Sequence, residues 1–256
     1  MRNITSPDNK IFKLARDLDK KKYRDKSGLF LIEGENLLGE AVKCGAGIET
    51  ILIREGYNKE LYGLEDKVFM MSDRLFSKLC QTENSQGVLA IVRKPEVTAE
   101  RFLKPSDGNF LILDRLQDPG NIGTILRTAD SAGYELVIAL KGTADIYSPK
   151  VVRAATGSSF RMPVLNLESV DELTEFTRKA GKKLVATTFD TNHYYYEEDL
   201  TKSVAIIIGN EGNGISKELI ESSEIKVKIP MQGTIESLNA AVAAALLMYE
   251  SVRHDQ

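Results

Sequence analysis

Short, continuous apolar runs recur along the second half of this chain, and loop-forming residues follow them. Clear examples are NFLILD (109–114), ELVIAL (135–140) and SVAIIIGN (203–210). Strands that read as unbroken apolar runs are typical of parallel sheets covered on both faces. Segments with helical spacing lie between the runs, including residues 121–132 and 169–180. The alternation predicts an α/β fold with a parallel sheet. Further predicted elements are a helix near 148–156, the strands MPVLNL, KKLVATTF and IKVKIP, and a final helix from Ser237.

The first part of the chain shows the same alternation on a smaller scale. Strand-like runs occur at 28–33, 48–53, 67–71 and 87–92, and a helical pattern covers residues 8–22. Residues 94–108 include Pro95, Pro105 and Gly108 and have little apolar periodicity, which is typical of a linker. We therefore predict a small α/β domain over residues 1–93, a linker over 94–108 and a second domain over 109–256.

Charge is unevenly distributed along the chain. The net charge of −3 argues against nonspecific wrapping of nucleic acid, but residues 1–27 contain nine basic residues against four acidic ones. The basic residues are Arg2, Lys10, Lys13, Arg16, Lys20, Lys21, Lys22, Arg24 and Lys26. Such an excess suits a phosphate-binding arm, and a solvated helix face is an equally open alternative.

The sequence also disfavours several classes of protein and site. No apolar run approaches the roughly 18 residues of a membrane span, and the N-terminus lacks the apolar segment of a secretory signal. Cys44 and Cys80 are far apart, so we expect no disulfide framework and a reducing cytoplasm as the location. No residues have metal-ligand spacing, and we expect no metal.

Three segments place polar and loop-forming residues directly after a predicted strand, where open α/β sheets bind ligands. In the first, LILDRLQDPGNIGTILRTADSAG (111–133), Asn121 stands at the start of a helix and Arg127 follows on it. An arginine there can bind an anion, because the guanidinium matches phosphate. The alternative is that Asn121 caps the helix and Arg127 lies on its solvated face.

The second segment, AIIIGNEGNGIS (205–216), combines glycines with one acidic residue. Gly209, Gly212 and Gly214 surround Glu211, and Ser216 is placed to cap the next helix. Glycines after a buried strand allow close approach of a ligand to the backbone. The glycine spacing is not that of a dinucleotide-binding or phosphate-binding loop, so the sequence gives little support to a nucleotide-binding oxidoreductase. The alternative to a ligand-binding loop is a plain turn.

The third segment, KIPMQGTIESLNAAVAAALLMYE (228–250), leads from a strand into an alanine-rich helix. Glu236, Ser237 and Asn239 form a polar group before the helix, with Ser237 as the expected cap. The small side chains of the helix permit close packing against another backbone, so a packing role is expected beside any functional one.

Together the three segments resemble the SpoU/TrmH family of RNA ribose methyltransferases, part of the SPOUT superfamily. The first contains NxGxxxR at Asn121, Gly123 and Arg127, and the second contains GxEGxG from Gly209 to Gly214. The third contains IPMxGxxxSLN from Ile229 to Asn239. Residues 1–93 resemble the ribosomal-protein-like RNA-binding module of the ribosomal-RNA branch, partly through the sequence FLIEG.

The resemblance implies an activity, a cofactor and a set of site residues. The expected reaction is methyl transfer from S-adenosylmethionine to a ribose 2′-hydroxyl of RNA by a homodimer, with 23S ribosomal RNA as the favoured substrate. The implied catalytic domain has a deep trefoil knot. The catalytic residues implied are Arg127, Asn121, Glu211, Ser237 and Asn239. The residues implied to bind the cofactor are Thr187, Gly209, Ile229, Met231 and Leu238.

The resemblance leaves the proton acceptor and the RNA class open. A guanidinium stays protonated in proteins, so we expect Arg127 to bind the phosphate next to the reacting ribose rather than to act as a base. The alternatives for function are a tRNA 2′-O-methyltransferase and a noncatalytic RNA-binding protein with the same fold. The complete set of polar site residues argues against the noncatalytic alternative.

Four further residues are weaker candidates. Arg153 and Arg161 are equally suited to RNA contact and to a structural role. His193 precedes three tyrosines and could stack on a base, although an ordinary loop is the favoured interpretation. His254, near the end of the chain, is expected to be solvated.

Overall fold

The computed structural model describes residues 2–234 and 237–253. Glu236 and His254 lie outside the described residues. The chain forms two compact units. The first contains Met1–Pro95 together with Asp145–Arg161, and the second contains Glu96–Ala144 and Met162–Gln256. The predicted boundaries at residues 93 and 109 stay a prediction.

The first unit is built on a five-stranded sheet. Its strands are β1 (Arg2–Ile4), β2 (Leu29–Glu33), β3 (Ile48–Arg54), β4 (Val68–Met71) and β5 (Val88–Arg93). They follow the order β1-β4-β3-β5-β2. The pairs β1–β4 and β3–β4 are parallel, whereas β5 pairs antiparallel with both β2 and β3. Its helices are α1 (Lys10–Asp17), α2 (Lys21–Ser27), α3 (Glu35–Lys43), α4 (Asp73–Phe76), α6 (Pro149–Ala155) and α7 (Ser158–Arg161).

The helical pattern over residues 8–22 forms two helices rather than one. Asn9 caps α1 through its side-chain oxygen, which accepts a hydrogen bond from the backbone N–H of Ile11 at 2.8 Å. The helix ends at Asp17, and α2 begins at Lys21. Sequence periodicity missed this break because Leu18, the last apolar position of the pattern, lies directly after α1 and still fits its spacing. It also missed β1, which has only three residues.

Arg24 does not fit the phosphate-binding role considered for the basic N-terminal residues. Its side chain is 4% exposed and pairs with Asp145, with Nη2 and Oδ2 2.5 Å apart. Its Nη1 donates to the backbone oxygens of Leu18 and Asp19, each at 2.7 Å. A buried guanidinium with all these partners is not available to RNA phosphate, so it holds the turn between α1 and α2.

The second unit confirms the predicted parallel sheet. Its strands are β6 (Phe110–Leu113), β7 (Leu136–Leu140), β8 (Val164–Leu167), β9 (Lys183–Thr187), β10 (Val204–Ile208) and β11 (Ile225–Val227). These strands follow the order β11-β9-β10-β6-β7-β8, and every neighbouring pair is parallel. The helices are α5 (Pro119–Ser131), α8 (Val170–Lys179), α9 (Lys217–Ser222) and α10 (Ala240–Val252).

The strand order places a switch point at the centre of this sheet. From β6 the chain moves outward through β7 to β8, whereas β10 lies on the other side of β6, next to β9. All residues of β6, β7 and β10 are buried, as expected for strands covered on both faces. Ligands of open α/β sheets bind beyond the carboxyl ends of the strands at such a point. The trefoil knot stays a prediction.

Candidate functional site

A cleft of about 560 Å³ opens beyond the carboxyl ends of β9, β10 and β11. It is lined by the residues that follow these strands and by the start of α10. All five residues predicted to bind a cofactor line it, namely Thr187, Gly209, Ile229, Met231 and Leu238. Three of the predicted catalytic residues line it as well, namely Glu211, Ser237 and Asn239.

The glycine-rich loop after β10 turns tightly back on itself. A Cβ on Gly209 would lie 2.3 Å from the backbone carbon of Gly214 and from the nitrogen of Ile215, so only glycine fits there. Gly214 has φ +63°, a conformation that other residues rarely adopt. The side-chain oxygen of Asn210 accepts hydrogen bonds from the backbone N–H groups of Gly212 and Asn213, both at 3.0 Å. These contacts fix the backbone on both sides of Glu211.

Glu211 is held by hydrogen bonds from the loop before α5. Its Oε2 accepts from the backbone N–H of Gln117 at 3.1 Å, and its Oε1 accepts from that of Asp118 at 3.0 Å. The side-chain amide of Asn121 donates to Oε1 at 3.2 Å. The carboxylate therefore joins the first and second sequence segments, which are about ninety residues apart in the chain.

Asn121 extends this network to the third segment. Its Oδ1 accepts a hydrogen bond from Nδ2 of Asn239 at 2.9 Å. Oδ1 of Asn239 in turn accepts from the backbone N–H of Ala241 at 2.9 Å. The network runs from Glu211 through both asparagines to the start of α10, and it brings together three predicted catalytic side chains.

The structure rules out Asn121 as a helix cap, which the sequence left open as an alternative, and corrects the predicted start of the last helix. Asp118 caps α5, because its Oδ1 accepts from the backbone N–H of Asn121 at 2.8 Å. Asn121 therefore lies inside the first turn, where its side chain is available to Glu211 and Asn239. The last helix begins at Ala240 with Asn239 as its cap, not at Ser237. Sequence alone could not choose among these residues, because all of them favour helix starts.

Hydrogen bonding keeps Glu211 in its charged form. Partial burial opposes ionisation, but hydrogen bonds from the backbone of Asp118 and Gln117 and from the amide of Asn121 lower the pKa of Glu211 below its ordinary value. A carboxylate with a lowered pKa and three donors is a poor proton acceptor. The geometry suits it to holding the three segments in place.

Arg127 stands apart from this network. It lies exposed on α5 and is not among the residues that line the cleft. Its guanidinium makes no hydrogen bond or ion pair with any residue in 2–234 or 237–253. A free guanidinium on this helix is available to an anion from outside the unit.

Asp114 is a site-positioning residue that the sequence interpretation missed. It directly follows β6, is 2% exposed, and accepts a hydrogen bond from the backbone N–H of Ser216 at 2.8 Å. It also pairs with Arg115, whose Nε lies 2.8 Å from Oδ1. Arg115 has φ +57°, and its carbonyl accepts from Nδ2 of Asn210 at 2.9 Å. A buried acid directly after an apolar strand was the available signal.

The weaker sequence candidates Arg153, Arg161 and His193 do not line the cleft. Arg161 donates to Glu40 at 2.8 Å, which favours its structural role. Arg153 is exposed. Nδ1 of His193 lies 3.1 Å from Oε1 of Glu198. The rings of Tyr194 and Tyr196, which follow it, stack on each other with their centroids 5.4 Å apart.

Neither a metal cluster nor a membrane-spanning helix occurs in the described part of the chain. Over 2–234 and 237–253, no group of three or more His, Cys, Asp or Glu residues is arranged to hold a metal ion. No helix within those ranges is long and apolar enough to cross a membrane.

Two family models match the chain. The SpoU rRNA Methylase family matches residues 108–249, and the MRM3-like substrate binding domain matches residues 9–90. The 23S rRNA (guanosine(2553)-2′-O)-methyltransferase RlmP of Bacillus subtilis strain 168 is 39% identical over 254 residues. That alignment covers 97% of this chain and 98% of the Bacillus protein.

Solved structures show the same similarity. The AdoMet-bound rRNA methyltransferase from Sinorhizobium meliloti has a TM-score of 0.89 and 31% identity, covering 99% of this chain and 98% of that one. A structure described as giving insights into 2-OH methylation of C/U34 on tRNA has a TM-score of 0.53 and 26% identity. It covers 57% of this chain but 95% of its own.

Proposed function

The chain belongs to the SpoU rRNA Methylase family and is an S-adenosylmethionine-dependent RNA 2′-O-methyltransferase, and we propose that it methylates a guanosine ribose of 23S ribosomal RNA. The observation that carries the proposal is the near-complete alignment with the Bacillus enzyme, which is named for this activity. The N-terminal match to a substrate-binding domain supports a large RNA substrate. We also propose a cytoplasmic location, because the Bacillus enzyme is bacterial and bacteria make ribosomal RNA in the cytoplasm.

The cleft beyond β9, β10 and β11 fits the methyl donor. Its volume of about 560 Å³ is suitable for a ligand of this size, since small-molecule sites span about 300–1,000 Å³. Its wall combines a tightly turned glycine loop with apolar side chains, which suits a nucleoside. When bound, S-adenosylmethionine supplies an electrophilic methyl group whose leaving group is a neutral thioether. The residues proposed to hold it are Thr187, Gly209, Ile229, Met231 and Leu238.

The network around Glu211 is proposed to position the reacting ribose. Asn121 is hydrogen-bonded to both Glu211 and Asn239, and Glu211 and Asn239 line the cleft. Ser237 also lines the cleft and is proposed to contact the substrate there. Correct placement of a nucleophile can lower the activation barrier by several kcal/mol.

Arg127 is proposed to bind the phosphate next to the target ribose. Its guanidinium has no partner among residues 2–234 and 237–253, and it can present two parallel donors to a phosphate. The hydroxyl proton is proposed to leave through that phosphate or through water. Glu211 is an unsuitable acceptor because its oxygens already accept three hydrogen bonds.

The exposed lysines near α2 are proposed to bind RNA phosphates. Lys20, Lys21, Lys22 and Lys26 are exposed and make no ion pair with any residue that the structure describes. Lys13 and Arg16 are less available, because they pair with Asp8 and Asp17. The remaining lysines form a local positive surface in a chain of net charge −3.

A homodimer is proposed through one face of α10. Val242, Leu246 and Tyr249 follow one another at intervals of four and three residues and are all exposed, at 49%, 38% and 50%. A helix that is apolar on all sides is normally buried on all sides. Light scattering should give the mass of a dimer for the wild-type protein and of a monomer for Leu246→Arg. A wild-type monomer at micromolar concentration would contradict the proposal.

The substrate is tested with methyl-labelled S-adenosylmethionine and unmodified 23S ribosomal RNA, 16S ribosomal RNA and tRNA in parallel. A 2′-O-methyl group blocks alkaline cleavage of its own phosphodiester, so we expect label in one guanosine-containing dinucleotide from 23S RNA only. Label in mononucleotides would indicate base methylation. Label from tRNA alone would support the tRNA alternative, for which the structural match covers only 57% of this chain.

If naked RNA accepts no label, the assay is repeated with ribosomal subunits as the substrate. Calorimetry with S-adenosylmethionine then separates the remaining possibilities. Donor binding without transfer to any of these RNAs would point to another substrate, whereas absent donor binding would support a noncatalytic RNA-binding protein.

A further inference from the structure

The loop after β9 carries the most exposed of the large hydrophobic side chains that the structure describes. Phe189 is 74% exposed, and the next, Tyr249, is 50% exposed. A single exposed apolar residue on an open surface needs no explanation. Phe189, however, follows Thr187 and Thr188, and all three line the donor cleft. An uncovered aromatic ring therefore stands at the wall of a ligand site.

The backbone that carries Phe189 is held in place on both sides. Four hydrogen bonds join residues 188–195 to residues 226–228: Thr188 N to Val227 O at 2.9 Å, Thr191 Oγ1 to Lys226 O at 3.2 Å, Lys228 N to His193 O at 2.9 Å, and Tyr195 N to Lys228 O at 3.1 Å. A group held in position before binding loses little conformational freedom on binding. The loop thus holds the backbone of Phe189 at the cleft before a ligand binds.

Neighbouring aromatic rings have ring or cation partners on the chain, unlike that of Phe189. Tyr194 stacks on Tyr196, and the ammonium of Lys228 lies 5.0 Å from the centroid of the Tyr194 ring. Phe189 makes no ring or cation contact with another residue in 2–234 or 237–253. Within these ranges the phenyl ring therefore has no stacking partner, although it lines the ligand cleft.

We propose that Phe189 stacks on the adenine ring of the methyl donor, an inference that rests on the proposed assignment of the cleft to S-adenosylmethionine. Adenine is the donor's only aromatic ring, and aromatic side chains stack on any base. A base of the RNA is the alternative stacking partner, and binding measurements on Phe189 variants distinguish it from adenine. Phe189 is thus a donor-binding residue that none of the three family motifs contains.

Calorimetry on the purified protein tests the contact without turnover. The probes are S-adenosylhomocysteine and 5′-methylthioadenosine, which share adenosine but differ in the amino-acid portion. Phe189→Ala should weaken both by a similar factor of about ten, as expected for loss of one base–aromatic stack. Phe189→Tyr should stay near wild type, and Phe189→Leu should fall between, because it keeps apolar area but not the aromatic face. The midpoint of thermal unfolding should be unchanged.

Fluorescence provides a second readout, because the chain contains no tryptophan. In Phe189→Trp the single indole should be quenched saturably by 5′-methylthioadenosine, with the dissociation constant found by calorimetry. Tyr23→Trp is the matched control, since Tyr23 is 38% exposed and does not line the cleft. Its emission should not respond.

Each other outcome overturns the inference in a recognisable way. Unchanged affinity of Phe189→Ala for both nucleosides overturns it, and if RNA binding weakens instead, the ring stacks on an RNA base. Weaker binding of S-adenosylhomocysteine alone would place the ring at the amino-acid portion. If the wild-type protein binds neither nucleoside, the donor assignment of the cleft fails as well.

Discussion

Each unit contains an arginine that the sequence marks as a candidate for binding RNA phosphate, and the two are used differently. Arg24, in the first unit, is buried and bonded to Asp145 and to the carbonyls of Leu18 and Asp19. Arg127, in the second, is exposed on α5 and has no partner among residues 2–234 and 237–253. The side chains are chemically identical, so burial and partners decide which of them is available to a ligand.

The acidic residues of the two units differ in the same way. Asp145 accepts hydrogen bonds from a buried guanidinium, whereas Glu211 accepts them from backbone and amide groups at the edge of a cleft. Removing one partner of a buried ion pair mainly costs stability, because an unpaired charge remains inside the protein. Disturbing a network at the cleft should instead cost catalytic rate. Changes to each network therefore separate stability from activity.

The largest expected effect is on the stability of the first unit. Arg24→Met should lower the free energy of unfolding by about 3–5 kcal/mol, because it leaves Asp145 buried without its counter-ion. Chemical denaturation measures the loss. Arg16→Met is the control, since Arg16 lies on the surface, and it should change stability by less than about 0.5 kcal/mol. Arg24→Met with Asp145→Leu should recover much of the loss, and no recovery would argue against the charge explanation.

Glu211→Gln should reduce kcat about a hundredfold with little change in stability. The substituted amide has a donor where the N–H of Gln117 or Asp118 now points, so the loop shifts, and small misplacements at a reacting centre can cost about that much. Steady-state methylation of RNA at saturating substrate measures it. Glu218→Gln, on the exposed start of α9, is the control. Normal kcat in Glu211→Gln would mean that the network is dispensable.

Arg127→Lys should reduce turnover about thirtyfold while RNA binding changes less than threefold. Lysine keeps the charge but cannot present two parallel donors to a phosphate. Filter binding and single-turnover rates separate the two quantities. Near-normal turnover with RNA bound would rule out the proposed bidentate contact. If the comparison with Arg24 holds, the stability of Arg127→Lys should equal that of the wild type.

Asn121→Asp should reduce activity about tenfold near pH 8 and recover as the pH falls toward 6. The change places a second carboxylate within hydrogen-bond distance of Glu211, and like charges raise the pKa of the pair. Above that raised pKa both groups are charged and repel; below it, one proton restores a hydrogen bond between them. The pH profile of Asn121→Ala serves as the control and should show no such recovery. Parallel pH profiles for Asn121→Asp and Asn121→Ala would contradict charge repulsion between the introduced carboxylate and Glu211 as the cause.

The smallest effect is expected at the lysines of the first unit. Changing Lys20, Lys21 and Lys22 to alanine should raise KM for RNA about fivefold and leave kcat nearly unchanged. The slope of log affinity against log salt should fall by about 0.7–0.9 for each phosphate that the protein no longer neutralises. Lys43→Ala is the matched control, because Lys43 already pairs with Glu40. An unchanged salt slope would exclude these lysines from the RNA surface.

The sequence by itself determined the parallel sheet and the segments that form the cleft. Strands buried on both faces must be continuous apolar runs, so β6, β7 and β10 were recognisable locally. Each motif directly follows a strand, and the carboxyl ends of parallel strands meet at one edge of the sheet. The association of the three segments could therefore be predicted.

Only the tertiary structure decided which side chains in those segments meet and which are free. Asp118 rather than Asn121 caps α5, and Asn239 rather than Ser237 caps α10, which leaves Asn121 free to join Glu211 to Asn239. The burial of Arg24 depends on Asp145, 121 residues away in the chain. Local sequence encodes propensity and periodicity, but partners distant in the chain are brought together only by packing, so burial and bonding of a polar side chain cannot be read from its neighbours.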